Sequence, residues 1–276
     1  MDRRDEYQQL TVGAIGLGAM GYQMARHAQN AGHAILGYDV FAEAMTKASE
    51  IGVEGVADLA ALGARSDVVL VMVQTDAQVD DVIAQSGLLE AMRPGSVICV
   101  ATSTAPETCQ RLAGEAAARG VGFLDTPVVL GQQAADEGRL TILVGGEERW
   151  LEVARPVLSS FGRQILHVGE SGQGQVAKII NNMLLWSTMC ANYEALSLAR
   201  ALGADLEKLI AALGHSSGAN WSLSRWGKSY PKWAEKDMDT VLELAQAAKL
   251  PLPLHGLVDQ MIKTIDNPRM RALLEK

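Results

Sequence analysis

The sequence predicts an α/β protein in two parts: a doubly wound parallel sheet, then an all-α half, with one long interdomain helix joining them. Up to about residue 170, short apolar runs alternate with helical patterns, the order expected of strands covered on both faces by helices. Beyond Leu202 only helical spacing remains. Between the two lies GQGQVAKIINNMLLWSTMCANYEALSLARAL, Gly172 to Leu202, which contains no proline. It predicts a helix of about 29 residues, roughly 43 Å long. Small and apolar residues occupy every face of it, so it is expected to be a buried spine.

The elements follow in order. Residues 1–10, MDRRDEYQQL, form a polar N-terminal extension; 11–170 form the sheet domain and 171–276 the helical domain. Thr11 to Ile15 is a short apolar strand that runs straight into GLGAMG, Gly16 to Gly21. A helix is expected from Ala19 to about Asn30, stopped by Gly32, and AILGYD, Ala34 to Asp39, is a second strand ending in an acid. SDVVLVMV, Ser66 to Val73, and SVICVA, Ser96 to Ala101, are near-continuous apolar runs of the kind that doubly covered parallel strands show. A helical stretch from about Asp76 to Ala84 lies between them. Ser103 or Thr104 stands as the cap of a helix beginning near Pro106. GFLDTPVV, RLTILVGG and RQILHVG supply three further strands. In the second half, helical spacing covers Asp205 to Leu213, Trp221 to Trp226, Thr240 to Leu250 and Leu254 to Ile265. The breaks fall at GHSSGA, at Ser229-Tyr230-Pro231 and at Pro251 to Pro253.

Strand, glycine turn, helix, strand and acid together make the context that the dinucleotide fingerprint requires. Gly16 allows the tight turn, Gly18 clears space for a pyrophosphate, and Gly21 lets helix and strand pack closely. The backbone of Leu17, Ala19 and Met20 completes the turn, and the helix start offers N–H groups and a positive dipole end. Asp39, 21 residues after Gly18, is placed to bond ribose hydroxyls. It would repel a 2′-phosphate, and Val40 and Phe41 supply no cation to neutralise one, so NAD is expected over NADP. In such sheets ligands sit beyond the carboxyl ends of the strands. This gathers the loops Gly16–Gly21, Val73–Asp76, Ala101–Thr104 and Asp125–Gly131, with Lys178 just after the last strand.

Composition narrows the partners. A net charge of −8 in 276 residues argues against nucleic acid, which needs a concentrated basic face. No run of 18 apolar residues predicts a membrane span, and the polar N-terminus lacks the core of a signal peptide. Cys99, Cys109 and Cys190 have no metal-ligand spacing and no even count for a disulfide framework, so a reducing cytoplasm is the expected setting. His215 and His255 read as loop or packing residues. The five tryptophans read as packing of the helical domain.

Four blocks carry a family resemblance: GAIGLGAMGYQMARHAQNAGHAILGYD, DTPVVLGQQAADEGRLTILVGG, GQGQVAKIINN and WAEKDMDTVLELA. In this order and spacing the chain resembles the β-hydroxyacid dehydrogenases, the group containing 3-hydroxyisobutyrate dehydrogenase and tartronate semialdehyde reductase. The resemblance implies a Rossmann-type first domain and a hydride exchange between a nicotinamide and a β-hydroxyacid or semialdehyde. By position, Lys178 matches the catalytic lysine and Asn182 the asparagine that helps hold the substrate. Val73, Gln74 and Thr104 match positions on the nicotinamide side, and Lys236 matches a lysine that reaches the cofactor, with Asp237 beside it. A homodimer or homotetramer through the helical domain is implied as well. Burial and the positive end of its own helix would both lower the pKa of Lys178, as an acid–base group at neutral pH requires.

One departure bears on the substrate. Where the family usually has Ser-Gly-Gly, this chain has Val129-Leu130-Gly131. The lost hydroxyl removes a partner for a substrate carboxylate, a contact of about 1.5–3 kcal/mol, although backbone N–H groups can still bind one. A small hydroxyacid and a bulkier or carboxylate-free carbonyl both stay open. Imine reductases share the layout but generally lack this lysine, and a non-catalytic nucleotide-binding module would be expected to have lost it.

Overall fold

The computed structural model describes residues 9–228, 231 and 233–275. Most of the polar extension and Ser229-Tyr230 of the expected break lie outside the described residues. The chain forms two compact units, Met1–Lys178 and Ile179–Lys276.

The first unit opens with β1 (Thr11–Ile15), α1 (Ala19–Asn30) and β2 (Ala34–Tyr38), then α2 (Ala42–Ser49), the short β3 (Glu54–Gly55) and α3 (Leu59–Arg65). Next come β4 (Val68–Val71), α4 (Asp76–Asp80) with a π-helical turn over Asp81–Gln85, α5 (Leu88–Ala91) and β5 (Val97–Val100). α6 (Pro106–Ala117), β6 (Gly122–Asp125), β7 (Val128–Val129), α7 (Gly131–Asp136), β8 (Leu140–Gly145), α8 (Glu148–Leu158) and β9 (Gly162–Gly169) follow. The strands form one sheet in the order β3-β2-β1-β4-β5-β6-β8-β7, with β9 also on β8.

Alternation of side chains across each strand builds both cores. Val68 and Leu70 of β4 join Val12, Ala14, Val97 and Cys99 under α1 and α8, while Val69 and Val71 join Leu36, Ile98 and Val100 under α3, α5 and α6. Every residue of β4, β5 and β6 is buried, which is why these strands read as unbroken apolar runs. The sequence runs overstate their length: β4 spans Val68–Val71 within the expected 66–73, and β5 spans Val97–Val100 within 96–101.

The doubly wound α/β class holds, with two antiparallel pairings added. From β3 to β6 every neighbour is parallel, but β8 runs antiparallel to β6 and to β7. GFLDTPVV splits at Thr126-Pro127 into β6 and β7, since proline has no N–H for a ladder. Between β7 and β8 stands only the six-residue α7, short of the dozen or so residues that a parallel crossover needs.

The expected cap of α6 is also different. Neither Ser103 nor Thr104 caps it; the N-cap is Ala105, with Pro106 in the first turn. Asp76 supplies the acceptors instead, taking Ala105 N–H at 2.8 Å and Thr108 Oγ1 at 2.9 Å.

α9 (Gln173–Ala201) has 29 residues. The second unit continues with α10 (Leu206–Leu213), α11 (Trp221–Ser224), α12 (Ala234–Ala247), α13 (Pro253–Ile262) and α14 (Asn267–Ala272). Its core gathers Trp186, Met189, Leu196, Trp226, Met238 and Val258. α12 starts at Ala234 rather than at Thr240, and Glu235 and Asp237 in its first turn favour the positive end of the helix. α14, absent from the sequence reading, has Asp266 as its cap and a proline in its first turn.

Two expectations need correction. Trp150 packs in the first unit, and Trp221 and Trp233 are exposed, so only Trp186 and Trp226 are buried in the helical core. α9 is not buried on every face: Ile180, Leu184 and Leu198 are exposed, as is Leu202 just past its end.

Candidate active site

β1 ends at Ile15 and the backbone turns at Gly16, whose φ is 82°. A Cβ on Gly16 would lie 2.2 Å from Met72 O, and one on Gly21 would lie 1.9 Å from Gly16 O. Neither position can take a side chain without moving backbone. A Cβ on Gly18 would meet nothing within 4 Å, so the space above it is open among the described residues. Gly18 is the N-cap of α1 and no side chain caps that helix. The N–H groups of Ala19, Met20 and Gly21 therefore lack intrahelical acceptors and stand at the positive end of the dipole, an anion site. Leu17 is buried in the core and Met20 packs against it, partly exposed.

Asp39 follows β2 directly. Its Oδ2 accepts Leu17 N–H at 2.6 Å and its Oδ1 accepts Phe41 N–H at 2.9 Å. The carboxylate is thus held against the glycine turn, and the next two side chains, Val40 and Phe41, are exposed and uncharged.

Two more strand ends face the same edge of the sheet. Beyond β4, Val73 N–H donates to Thr102 Oγ1 at 2.9 Å, and Gln74 N–H donates to Gln78 Oε1 at 2.9 Å. Beyond β5, Thr104 is buried; its N–H donates to Gln175 Oε1 at 3.2 Å while Gln175 Nε2 donates to Thr102 O at 2.8 Å. Thr104 Oγ1 is buried with no hydrogen-bond partner among the described residues.

The start of α9 is pinned by a buried acid. Asp125, at the end of β6, is fully buried; Oδ1 accepts Gly172 N–H at 2.7 Å and Oδ2 accepts Gln175 N–H at 2.9 Å. Gly145 and Gly174 make room, since a Cβ on either would lie 2.6–2.7 Å from that carboxylate. Burial pushes the Asp125 pKa above its ordinary value, opposed by the N–H groups around it. One turn along α9, partly buried Lys178 donates from Nζ to Val128 O at 2.8 Å.

Lys178 thereby sits against the strand that leads into Val129, Leu130 and Gly131. Val129 is buried. Leu130 has φ 84° and ψ 0°, and Gly131 has φ 75°. A leucine in the left-handed region is disfavoured by roughly 1–2 kcal/mol. Gln132 Nε2 ties this segment to Ala19 O at 3.1 Å, beside the glycine turn.

The remaining sequence candidates belong to the second unit. Asn182 is buried, and its Oδ1 accepts Asn181 Nδ2 at 3.0 Å. Lys236 is exposed on α12, and Asp237 Oδ2 accepts Trp186 Nε1 at 3.0 Å. His255 Nε2 lies 3.2 Å from Ser187 Oγ, and His215 is exposed.

The first unit thus brings together Gly16, Gly18, Gly21, Asp39, Val73, Gln74, Thr104, Val129, Leu130, Gly131 and Lys178 at the carboxyl ends of its strands. Sequence reading missed Thr102, Gln175 and the anchoring role of Asp125. The only signal for the last was an acid closing a buried strand. Among the described residues no group of His, Cys, Asp and Glu suits a metal. The three cysteines are free, and burial pushes the Cys99, Cys109 and Cys190 thiols up, away from nucleophilic reactivity.

An uncapped helix start behind a glycine turn, a ribose-side acid and an unpartnered buried hydroxyl fit a nicotinamide dinucleotide, and define an NAD(P)-binding Rossmann domain. Residues 11–169 match the NAD binding domain of 6-phosphogluconate dehydrogenase, and residues 172–272 match the family described as NAD-binding of NADP-dependent 3-hydroxyisobutyrate dehydrogenase. The chain is 33% identical to 3-hydroxyisobutyrate dehydrogenase of Pseudomonas aeruginosa over 89% of each chain. It is 30% identical to 2-(hydroxymethyl)glutarate dehydrogenase of Eubacterium barkeri, over 92% of this chain and 88% of that one. The structure of Mycobacterium tuberculosis 3-hydroxyisobutyrate dehydrogenase with L-serine superposes with a TM-score of 0.86 at 26% identity, covering 97% of this chain and all of that one. The chain belongs to the β-hydroxyacid dehydrogenase family. It is an NAD(P)-dependent oxidoreductase.

Proposed function

We propose that the protein oxidises the primary alcohol of a 3-hydroxyacid, or reduces the matching semialdehyde, with Lys178 as general acid–base. When bound, the nicotinamide supplies the hydride acceptor or donor. The observation that carries the reading is the Lys178 amine, held to Val128 O at 2.8 Å at the strand ends that bear the dinucleotide fingerprint. The bond to Val128 O fixes the position of the amine beside the strand that leads into Val129, Leu130 and Gly131.

The cofactor is bound by N–H groups of Ala19, Met20 and Gly21 at its phosphates and by Asp39 at its ribose, which favours NAD. Thr104 Oγ1, Val73 and Gln74 serve the nicotinamide end. Asn182 orients the substrate, and Lys236 contributes to the cofactor; the same family correspondence gives Asp237 a substrate role, although its carboxylate already holds Trp186. The protein acts as a homodimer or homotetramer in the cytoplasm. Reduction of a bulkier carbonyl is a second reading, favoured by the apolar Val129 and Leu130.

The test is NAD(P)+ reduction and NAD(P)H oxidation across 3-hydroxyacids, semialdehydes and larger carbonyls, with Lys178→Ala beside the native enzyme. The variant is expected to lose about 10²–10⁴-fold in kcat while NADH still binds. Turnover that the substitution leaves untouched would remove Lys178 from the chemistry. Cofactor binding without turnover of any substrate would point to a binding module.

A further inference from the structure

Gln175 is fully buried near the start of α9. It precedes Lys178 by three residues, a spacing that puts both side chains on one side of the helix. The helix start does not need its amide, because Asp125 already takes the Gly172 and Gln175 N–H groups. The amide reaches a different element: Oε1 accepts Thr104 N–H at 3.2 Å and Nε2 donates to Thr102 O at 2.8 Å. A carboxamide holds a donor and an acceptor in one plane, so two bonds to one short loop fix both its distance and its orientation. The loop passes the constraint on, since Thr102 Oγ1 accepts Val73 N–H beyond β4. One turn further along α9, Lys178 Nζ is held to Val128 O. A single turn of helix thus joins the lysine to the loops beyond β4 and β5. Thr104 is left with a buried hydroxyl that has no hydrogen-bond partner among the described residues.

We propose that Gln175 is a positioning residue: its amide holds the Thr102–Thr104 loop in a fixed register with Lys178, so that nicotinamide and lysine meet the same carbon–oxygen bond. This rests on the dehydrogenase reading above. In alcohol oxidation the hydride leaves the carbon for the nicotinamide and the proton leaves the oxygen for the lysine amine. The two acceptors have to be right relative to each other, and a misplacement of about 1 Å costs about 10²-fold in rate. Gln175 acts through the loop and the lysine and takes no part in either transfer.

The experiment compares the full-length enzyme with Gln175→Met and Gln175→Glu. Methionine keeps the length of the side chain and removes both bonds. A protonated glutamic acid keeps both, accepting Thr104 N–H and donating to Thr102 O; once ionised it has no donor and sets a carboxylate against that carbonyl. The titratable groups around this position are Asp125 on β6, Cys109 on α6 and Lys178 on α9, with Asp76 and Glu107 acting on Cys109. Burial and the Asp125 carboxylate raise the pKa of the new carboxyl, opposed by Thr104 N–H, Lys178 and the helix start. Steady-state rates and single-turnover hydride transfer are measured with NAD+ and NADP+ on a panel of 3-hydroxyacids from about pH 5 to 9. NADH affinity is measured by fluorescence, at a temperature where far-UV circular dichroism shows every protein folded. In Gln175→Met, kcat and the hydride-transfer rate fall about 10²-fold, while NADH affinity stays near native. In Gln175→Glu, the ratio of its kcat to the native one is near unity at acid pH and falls as pH rises through the pKa of the new carboxyl. Tm drops in Gln175→Met whichever role the residue has, so Tm does not decide. Native hydride transfer in folded Gln175→Met, or a Gln175→Glu ratio indifferent to pH, makes Gln175 a packing residue and overturns the proposal. If the native enzyme turns over no 3-hydroxyacid at all, the dehydrogenase reading fails and this inference with it. Native turnover with either of those two results sinks this inference alone.

Discussion

Asp39 ties Leu17 and Phe41 N–H groups into the glycine turn, and in the proposed reading the same carboxylate presents negative charge to the cofactor ribose. Asp39→Asn keeps the size and removes the charge. NADH affinity is expected to fall by about 10–150-fold, the equivalent of roughly 1.5–3 kcal/mol for a charged hydrogen bond. NADPH affinity should fall less, because the repulsion of a 2′-phosphate is lost together with the hydrogen bonds. Fluorescence titration with both nucleotides checks this, and equal losses for the two would separate Asp39 from cofactor choice. At this scale the sequence was legible where the spacing is local. Gly16, Gly18, Gly21 and Asp39 stand within one strand–helix–strand unit, and their order alone carries the meaning. Thr102, Gln175 and Asp125 were not legible. They act on partners 29, 71 and 47 residues away, and no one-dimensional pattern displays such pairs.

The attachment of α9 shows what an element demands of its neighbours. Its first N–H groups are met not by a local cap but by Asp125 at the end of β6. Asp125→Ala would leave two buried donors without partners, about 1–3 kcal/mol each, and Tm should drop accordingly in a thermal melt. Asp125 also imposes a pH dependence. Burial holds its pKa in the fold above the ordinary 3.8, so its contribution to stability is present below the unfolded value and is lost as pH rises through the folded one. Asp125→Asn does not titrate. The Tm of the native protein minus that of this variant should therefore be largest at acid pH and shrink as pH rises through the carboxylate range and above it. A difference that grows with pH would reverse the sign of the argument. The glycine turn makes a similar demand on α1. In Gly21→Ala the new methyl would press on Gly16 O, and overpacking of this kind costs about 1–3 kcal/mol; a lower Tm together with weakened NADH binding is the expected result. The longer strands and the helices α1, α6 and α9 were readable from periodicity, whereas β3, α2, α3, α5, α7 and α8 were not singled out. The ends were not readable, because strand length, the split at Pro127 and the early start of α12 depend on pairing and capping partners distant in the sequence.

At the scale of the molecule, α9 is the element whose residues and surroundings disagree within one chain. Ile180, Leu184, Leu198 and Leu202 are 49%, 63%, 62% and 77% exposed. At 100° per residue they fall within about 40° of one line along the helix, with exposed Ala191 and Ala195 between them. Leucines at the ends and alanines in the middle leave room for another helix to lie close, whereas water gains nothing from such a stripe. In the homo-oligomer proposed above, a second copy of the chain would cover the stripe with a self-complementary surface, the simplest closed assembly, and the apolar character read from the sequence would then describe burial between chains. Light scattering on the purified protein should give a dimer or a larger even multiple at micromolar concentration, with Tm rising as protein concentration rises. Leu184→Glu with Leu198→Glu places carboxylates in the stripe without touching the second unit's core. The double variant should lower the mass to that of one chain, keep the far-UV circular dichroism of the native protein, and lose the concentration dependence of Tm. A native protein of single-chain mass at every concentration, with a Tm indifferent to dilution, would leave the stripe as bare surface and remove the homo-oligomer from the proposal.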